Sequence, residues 1–175
     1  MDGKRARESL VVKSALISPP DANNLGTIFG GKVMSYIDDV AALSARRHCR
    51  MIVVTASTDS VDFLRPLKVG QAIHLEAFVT WTNNTSMEVF VKIMGEDLWT
   101  GERFVGATAF LTFVALDKDG KPHPVPPVIP ETEQEKKLFD TAPERSILRS
   151  ERRHRSRNFA EKFGMVTPWG EFQPD

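Results

Sequence analysis

The order of the predicted elements indicates an α+β fold in which an antiparallel sheet curls around one long central helix. One strand precedes a single long apolar helix, and at least four strands follow that helix in succession. In a parallel sheet each pair of consecutive strands would need a crossover connection, usually a helix. Only one helix lies within the strand region, so the sheet is expected to be antiparallel. The helix is therefore the element that can cover the buried face of the sheet.

The first strand and the helix are separated by a polar turn. Residues 10–17 predict a strand, because β-branched and apolar residues lead up to two prolines that cannot continue a ladder. Residues 21–26 are rich in Asp, Asn and Gly, which favour turns. Gly30 and Gly31 then open a segment with helical spacing that runs to about His48, where basic residues suit the helix dipole.

Four segments after the helix predict strands, because β-branched and aromatic residues dominate them and turn residues separate them. These segments are residues 52–61, 72–81, 87–94 and 104–116. Turn sequences at 81–85 and 117–120 predict tight connections. The strands are therefore expected to form a meander.

The two ends of the chain are expected to lie outside the folded domain. Residues 1–8 predict a flexible N-terminus and residues 9–130 the domain itself, which ends where a proline-rich stretch cannot join a central strand. Residues 131–175 predict a helical, basic tail that starts with a short helix over 131–139.

The middle of this tail allows two interpretations. Residues 144–162 are polar and arginine-rich, which fits a solvated helix or disordered segment and also fits an arm that binds anions. The final residues include Trp169 and Phe172, and their pattern gives no basis for a placement.

Composition narrows the functional classes. The net charge is zero, so bulk charge argues against binding to nucleic acid or to an anionic membrane surface. Cys49 is the single cysteine, which excludes an internal disulfide and a cysteine-rich metal cluster. The chain also lacks a continuous apolar run of signal or membrane-spanning length. We expect a cytoplasmic protein.

The glycines that open the helix predict a site for a developing negative charge. The first backbone N–H groups of a helix have no intrahelical acceptor, and here they belong to residues near Gly31. Glycine allows close approach of a ligand, and the helix dipole adds partial positive charge. Alternatively, the two glycines belong to a tight turn that needs glycine for its backbone angles.

Two carboxylates interrupt the helix two turns later. Asp38 follows the apolar position Ile37 and can flank the buried stripe, whereas Asp39 turns further outward. Such a carboxylate is costly unless it is solvated, paired or used. Alternatively, both carboxylates are surface charges that pair with Arg46 or Lys32.

Other catalytic motifs are missing from the sequence. It contains no G-x-S-x-G elbow, no H-E-x-x-H pair, no P-loop and no dinucleotide-binding fingerprint. His48 and Cys49 are adjacent, so their side chains diverge on a helix and do not form a nucleophile pair. No metal site is expected.

Four segments together resemble the hotdog-fold acyl-CoA thioesterases, in particular the bacterial single-domain and the cytosolic, brain-type members. They are PDANNLGTIFGG at 20–31, ARRHC at 45–49, VTASTD at 54–59 and PETEQEKK at 130–137. The similarity covers about residues 10–152 in consistent order. It implies hydrolysis of fatty acyl-CoA to free acid and coenzyme A without a metal or organic cofactor. It also implies homodimers with active sites shared across the interface, often assembled as a trimer of dimers.

The resemblance also suggests catalytic residues. Many close relatives place Asp or Asn where this chain has Thr27, which cannot act as a carboxylate base. Another branch of the family resembles N-x-x-G-T-x-H-G-G followed by a helical Asp, and here Asp38 follows the second glycine by seven residues. By this resemblance Asp38 activates or orients water, the N–H of Gly31 polarises the thioester carbonyl, and Asn23 and Thr27 position water or substrate. This chain has Phe29 at the position where that branch has His.

Further residues are expected to contact the substrate. Thr55 and Ser57 lie on the strand that approaches the partner's site in relatives, and basic side chains suit the coenzyme A phosphates. The substrate-binding candidates are Asn24, Gly30, Thr55, Ser57, Arg65 and Arg103.

Two other functions remain open for this sequence. The same fold serves non-catalytic proteins that bind or sense acyl-CoA, and Thr27 in place of a carboxylate keeps this alternative open. A hotdog dehydratase is the other, but Phe29 occupies the place where its catalytic His is expected.

Overall fold

The computed structural model describes residues 2–164, 166–167 and 170–171, and it divides the chain into two compact units, residues 1–140 and 141–175. In the first unit, the central elements are β2 (Val11–Leu16), α1 (Gly30–Cys49) and four long strands. Those strands are β3 (Ile52–Phe63), β4 (Ala72–Thr82), β5 (Ser86–Glu96) and β6 (Arg103–Leu116). The predicted α+β hotdog architecture is confirmed.

The five strands form one antiparallel sheet in the order β2-β4-β5-β6-β3. Strands β2 and β3, which flank the helix in the chain, are therefore the two edges of the sheet. Between them, one face of the sheet packs on α1. The alternating residues of the central strands that face the helix are fully buried, as period-two patterning requires.

The helix contributes a continuous apolar stripe to this core. Val33, Ile37 and Val40 are at most 1% exposed, and they recur at helical spacing. The stripe continues to Cys49, and Arg50 ends the helix in the left-handed conformation with φ of 59°. None of the described helices carries an apolar stretch that would cross a membrane.

The N-terminal residues, which the sequence predicts to be flexible, form defined structure. Lys4–Arg5 is strand β1, which pairs in parallel with β7 (Val128–Ile129), and the 3-10 turn Ala6–Ser9 follows it. The ammonium of Lys4 donates to the carbonyl of His48 at 2.6 Å, near the C-terminal end of α1. The proline-rich segment therefore supplies a short ladder that holds the start of the chain.

The tail differs from the predicted short helix followed by a separate segment. Helix α2 runs continuously over Glu133–Phe163 and contains Pro143. Pro143 has no backbone N–H to donate to the carbonyl four residues before it, yet the helix is present on both sides of this position. In the second unit, β8 (Val166–Thr167) pairs with β9 (Gly170–Glu171). Trp169 and Phe172 lie outside the described residues.

Candidate functional site

The loop before α1 is held rigid by the side chain of Asn23. Its amide donates to the hydroxyl oxygen of Thr27 at 2.9 Å, and its Oδ1 accepts the backbone N–H groups of Leu25 and Thr27 at 2.9 and 3.2 Å. Gly26 has φ of 71°, which the reversal requires, and the neighbouring Asn24 is exposed. The predicted residues Asn23 and Thr27 are therefore direct partners.

The start of α1 is shaped by two aromatic rings. A Cβ on Gly31 would lie 2.5 Å from the ring of Phe29. Glycine is therefore the residue that fits here without displacing that ring. A Cβ on Gly30 would lie 3.7 Å from the ring of Phe63. Residue 31 belongs to the first helical turn, where a backbone N–H has no intrahelical acceptor. This N–H is thus suited to an anionic or carbonyl oxygen.

One salt bridge ties the loop to the helix. Lys32 lies 3.1 Å from Asp21, and this hydrogen bond raises the pKa of the Lys32 ammonium. The backbone N–H of Phe29 also donates to the carbonyl of Asp21 at 2.8 Å. The loop and the first turn of α1 are therefore one structural piece.

The two helical carboxylates have different partners. The hydroxyl of Thr55 on β3 donates to Asp38 Oδ1 at 2.9 Å. Asp39 instead pairs with Lys13 on β2 at 3.2 Å. The predicted pairing of these carboxylates with Arg46 or Lys32 is wrong, because the edge strands provide closer partners. Asp38 is exposed and oriented, as a residue that acts on a ligand should be.

A β-bulge separates the two predicted contacts on β3. Thr55 lies opposite the buried Phe113, and the register then shifts so that Ser57 lies opposite Thr112. Directly opposed residues share one face of a sheet, and successive residues of the partner strand face opposite sides. Thr55 therefore faces α1, whereas Ser57 lies on the other face of the sheet. The structure does not bring Ser57 to Asp38.

The catalytic candidates form two groups that are distant within one chain. Asn23, Thr27 and Gly31 lie at the start of α1, and Asp38 and Thr55 lie two turns further along. The seven residues from Gly31 to Asp38 correspond to about 10 Å along the helix axis. One thioester carbonyl cannot contact both groups of the same chain.

Each group borders a cavity. A groove of about 750 Å³ lies between β2, α1 and the start of β3, and Asp38 is on its wall. A cavity of about 340 Å³ lies beside Gly30 and is lined mainly by apolar side chains, including Phe63 and Leu67. These two apolar residues could not be predicted from the sequence, because they approach the helix only through the tertiary fold.

The two predicted phosphate-binding arginines have other partners. Arg65 pairs with Glu102 at 3.3 Å and lies 4.0 Å from the ring centre of Phe104. Arg103 pairs with Glu96 at 2.8 Å. Within the described residues, no group of three or more His, Cys, Asp or Glu side chains is placed to hold a metal ion.

Comparisons with known proteins find acyl-CoA thioester hydrolases among the proteins similar to this chain. The family model of the thioesterase superfamily matches residues 25–99. The uncharacterized acyl-CoA thioester hydrolase YkhA of Bacillus subtilis is 55% identical over 163 residues, which cover 93% of this chain and 95% of that protein. A hexameric acyl-CoA thioesterase has a similar structure, with a TM-score of 0.85, 51% identity and coverage of 87% of this chain and 97% of that chain.

An acyl-CoA hydrolase from Staphylococcus aureus, solved with butyryl-CoA, coenzyme A and coenzyme A disulfide, is also similar. Its TM-score is 0.88 at 44% identity, and the match covers 91% of this chain and 98% of that chain. Structures of that enzyme with a single aspartate, threonine or asparagine replaced by alanine have TM-scores of 0.89, 0.86 and 0.90.

Proposed function

The chain belongs to the acyl-CoA thioester hydrolases of the thioesterase superfamily, and we propose that it hydrolyses fatty acyl-CoA with Asp38 as the principal catalytic carboxylate. The contact between Asp38 and Thr55 is the observation that carries this assignment. The hydroxyl holds one carboxylate oxygen at 2.9 Å, so the other oxygen can face a water molecule in the adjoining groove. A carboxylate held in this way is suited to general base catalysis.

The reaction proceeds by attack of water on the thioester carbonyl carbon. Asp38 accepts a proton from the water while the water oxygen forms the new bond to the carbonyl carbon. The N–H of Gly31 stabilises the negative charge that develops on the carbonyl oxygen, and Asn23 and Thr27 position the water or the acyl group. The bond from carbon to sulfur then breaks, and the coenzyme A thiolate takes up the proton.

We further propose that one complete site combines two protomers. Because Gly31 and Asp38 of one chain are about 10 Å apart along the helix, the Gly31 that serves a given Asp38 belongs to a second copy. A C2 dimer whose α1 helices are antiparallel near Met34 would bring each Asp38 to the partner's loop and create two identical sites.

The exposed edge of β3 supports this dimer. Its side chains Ile52 and Phe63 are 55% and 56% exposed, and an uncovered apolar edge strand favours pairing with another chain. The similar thioesterase that is hexameric supports assembly of three such dimers.

The variants of the Staphylococcus aureus enzyme also support the assignment. Its substituted asparagine and aspartate are 15 residues apart, and its aspartate and threonine are 17 residues apart. Asn23, Asp38 and Thr55 are the same residue types at the same intervals. Residues chosen for substitution in that enzyme thus match the two groups at this site.

The remaining parts of the proposal concern cofactors and compartment. We expect hydrolysis without a metal or organic cofactor, since the described donors and acceptors supply a base and an oxyanion site. We place the protein in the cytoplasm, where a single buried thiol at Cys49 is stable in reduced form.

Release of free thiol from acyl-CoA esters of increasing chain length tests the function. Wild type should hydrolyse at least part of the series, and Asp38→Asn should lower kcat by about a hundredfold or more. Asp39→Asn is the matched control, because it removes the same charge from the neighbouring helical position. Thr27→Ala should have a smaller effect than Asp38→Asn. Full turnover by Asp38→Asn would exclude Asp38 as the base, and binding without turnover by wild type would indicate an acyl-CoA sensor.

A further inference from the structure

The outer face of the sheet, which is the face opposite α1, carries a hydrogen-bonded row of polar side chains. Ser14 on β2 lies directly opposite His74 on β4, and its hydroxyl oxygen is 2.7 Å from Nδ1 of the imidazole. Nε2 of the same ring is 2.9 Å from a carboxylate oxygen of Glu96 on β5. A hydroxyl, an imidazole and a carboxylate are therefore linked in the order that serine hydrolases use.

The pairing of the strands places this row on the outer face. The neighbours of His74 in β4, Ile73 and Leu75, are fully buried in the core that includes α1, so the imidazole points to the other side of the sheet. Ser14 shares the face of His74, because the two residues are directly opposed in an antiparallel pair. The next side chain of β2, Lys13, points the other way and reaches a carboxylate of α1 at 3.2 Å. The row therefore lies on the opposite side of the sheet from the proposed thioester site.

Exposure decreases along the row from the hydroxyl to the carboxylate. Ser14 is exposed on an edge strand, whereas the side chains of His74 and Glu96 are 20% and 17% exposed. The guanidinium of Arg103 also holds the carboxylate, with its Nε at 2.8 Å. Partial desolvation opposes the ionisation of Glu96, but hydrogen bonds from Arg103 and His74 outweigh it and lower the pKa of the carboxyl. The imidazole therefore has an ionised carboxylate beside it.

This carboxylate determines where the neutral imidazole carries its proton. An ionised carboxylate only accepts hydrogen bonds, so Nε2 of His74 carries the proton and donates it to Glu96. Nδ1 then has a lone pair, and the hydroxyl of Ser14 donates to it. A base that already accepts this hydrogen bond is placed to take the proton when the hydroxyl oxygen attacks a carbonyl. Ser14 therefore has the surroundings of an activated nucleophile.

We propose that Ser14 is a second reactive centre, a nucleophile that takes the acyl group of activated carboxylic esters, with His74 as its base and Glu96 as the positioning residue. The hydroxyl oxygen forms a bond to the ester carbonyl carbon, and its proton passes to Nδ1 of the imidazole. The bond from that carbon to the leaving oxygen then breaks, and the imidazolium returns the proton to the leaving group. Water releases the carboxylic acid from the acyl-serine by the same steps.

The substrate class follows from what the row supplies. It provides a nucleophile and a base, whereas a dedicated oxyanion donor typically contributes a further factor of about 10²–10³. Esters with a weakly basic leaving group, such as aryl esters, need less of this stabilisation. We therefore assign aryl esters, and reactive phosphonates of similar shape, to Ser14. Strand β2 is the sheet edge away from β3, so the dimer proposed along β3 leaves this serine accessible.

Labelling of the whole chain with a fluorophosphonate tests the proposal without requiring turnover. In this reaction the Ser14 oxygen bonds to phosphorus, fluoride leaves, and the hydroxyl proton passes to the imidazole. We expect one adduct per chain by intact mass, located at Ser14 by peptide mapping and absent from Ser14→Ala. His74→Gln should slow labelling about a hundredfold or more, and Glu96→Gln about tenfold, because a positioned base contributes about 10²–10⁴. Ser156→Ala is the matched control, because it removes another exposed serine hydroxyl, on α2.

Hydrolysis of p-nitrophenyl acetate measures the activity itself. In the Asp38→Asn background, which removes the proposed thioesterase base, adding Ser14→Ala should lower the rate at least about tenfold. The single variants Ser14→Ala and Glu96→Gln should keep the melting temperature and acyl-CoA hydrolysis of the wild type, because the row lies on the other side of the sheet from Asp38.

The outcomes separate this proposal from the proposed function. Absence of an adduct at Ser14 in the wild type, or an unchanged labelling rate in both His74→Gln and Glu96→Gln, would refute the second centre even if acyl-CoA hydrolysis is normal. Labelling of Ser14 no faster than that of Ser156 would refute it as well, since it would indicate an ordinary surface hydroxyl. A rapid adduct that depends on His74, in a protein that hydrolyses no acyl-CoA, would refute the proposed function alone.

Discussion

A site shared between two protomers predicts that two inactive variants restore each other. Asp38→Asn removes the base, and Asn23→Ala removes the side chain that holds the loop before α1 through three hydrogen bonds. Each variant alone should be at least about tenfold less active than wild type, because each impairs both sites of a symmetric dimer. In a hybrid dimer, one site receives both substitutions and the other receives neither.

The expected recovery follows from this geometry. Random pairing of the two variants makes about half of all dimers hybrid, and each hybrid has one intact site of two. Coexpression should therefore restore about a quarter of the wild-type kcat per protomer. A site within a single chain predicts no recovery, because every chain carries one of the two substitutions.

The assay is thiol release by the coexpressed variants under saturating acyl-CoA. The variants purified separately and mixed without subunit exchange provide the background. Activity at this background level, in a preparation whose hybrid content is verified by mass spectrometry, would refute the shared site and the distance argument from α1. Recovery near a quarter would support the assignment of the two groups to different protomers.

Three further substitutions test individual contacts. Thr55→Val keeps the side-chain shape but removes the hydrogen bond to Asp38, so kcat should fall about tenfold with little change in KM, as steady-state kinetics will show. Gly95→Ala would place a Cβ 2.5 Å from the buried Leu67, and urea unfolding should show a loss of about 1–3 kcal/mol. Burial lowers the pKa of His48 in the folded protein, so the unfolded chain takes up a proton first and the free energy of unfolding should decrease as pH falls below 6.5. His48→Gln should flatten this dependence in urea titrations between pH 5 and about 7, and an unchanged slope would contradict the role of the imidazole.

The regular elements were predictable because their patterns are local. Helix α1 shows one apolar stripe, and the four long strands are β-branched and bounded by turn residues, so the observed ends lie close to the predicted ones. The short strand of Lys4–Arg5 was not predictable, since two residues carry no period and their partner lies at Val128–Ile129. Helix α2 was predicted only in part, as a short helix over 131–139, whereas the observed helix continues through Pro143 to Phe163.

The candidate site shows the same division. Asn23, Gly31 and Asp38 could be named from a motif and its spacing, and Thr55 from the strand that carries it. The bulge after Thr55 could not be foreseen, and it moves Ser57 to the other face of the sheet. A register shift depends on pairing with β6, which no local pattern in β3 encodes.

The sequence by itself determined the α+β class, the central helix and the residue types at the site, because periodicity, turn chemistry and short motifs act over a few residues. Only the tertiary structure decided which groups meet. It placed Thr55 on Asp38 and directed Asp39 to Lys13. These contacts join residues of distant segments, and the packing of the sheet edges on one helix brings those segments together.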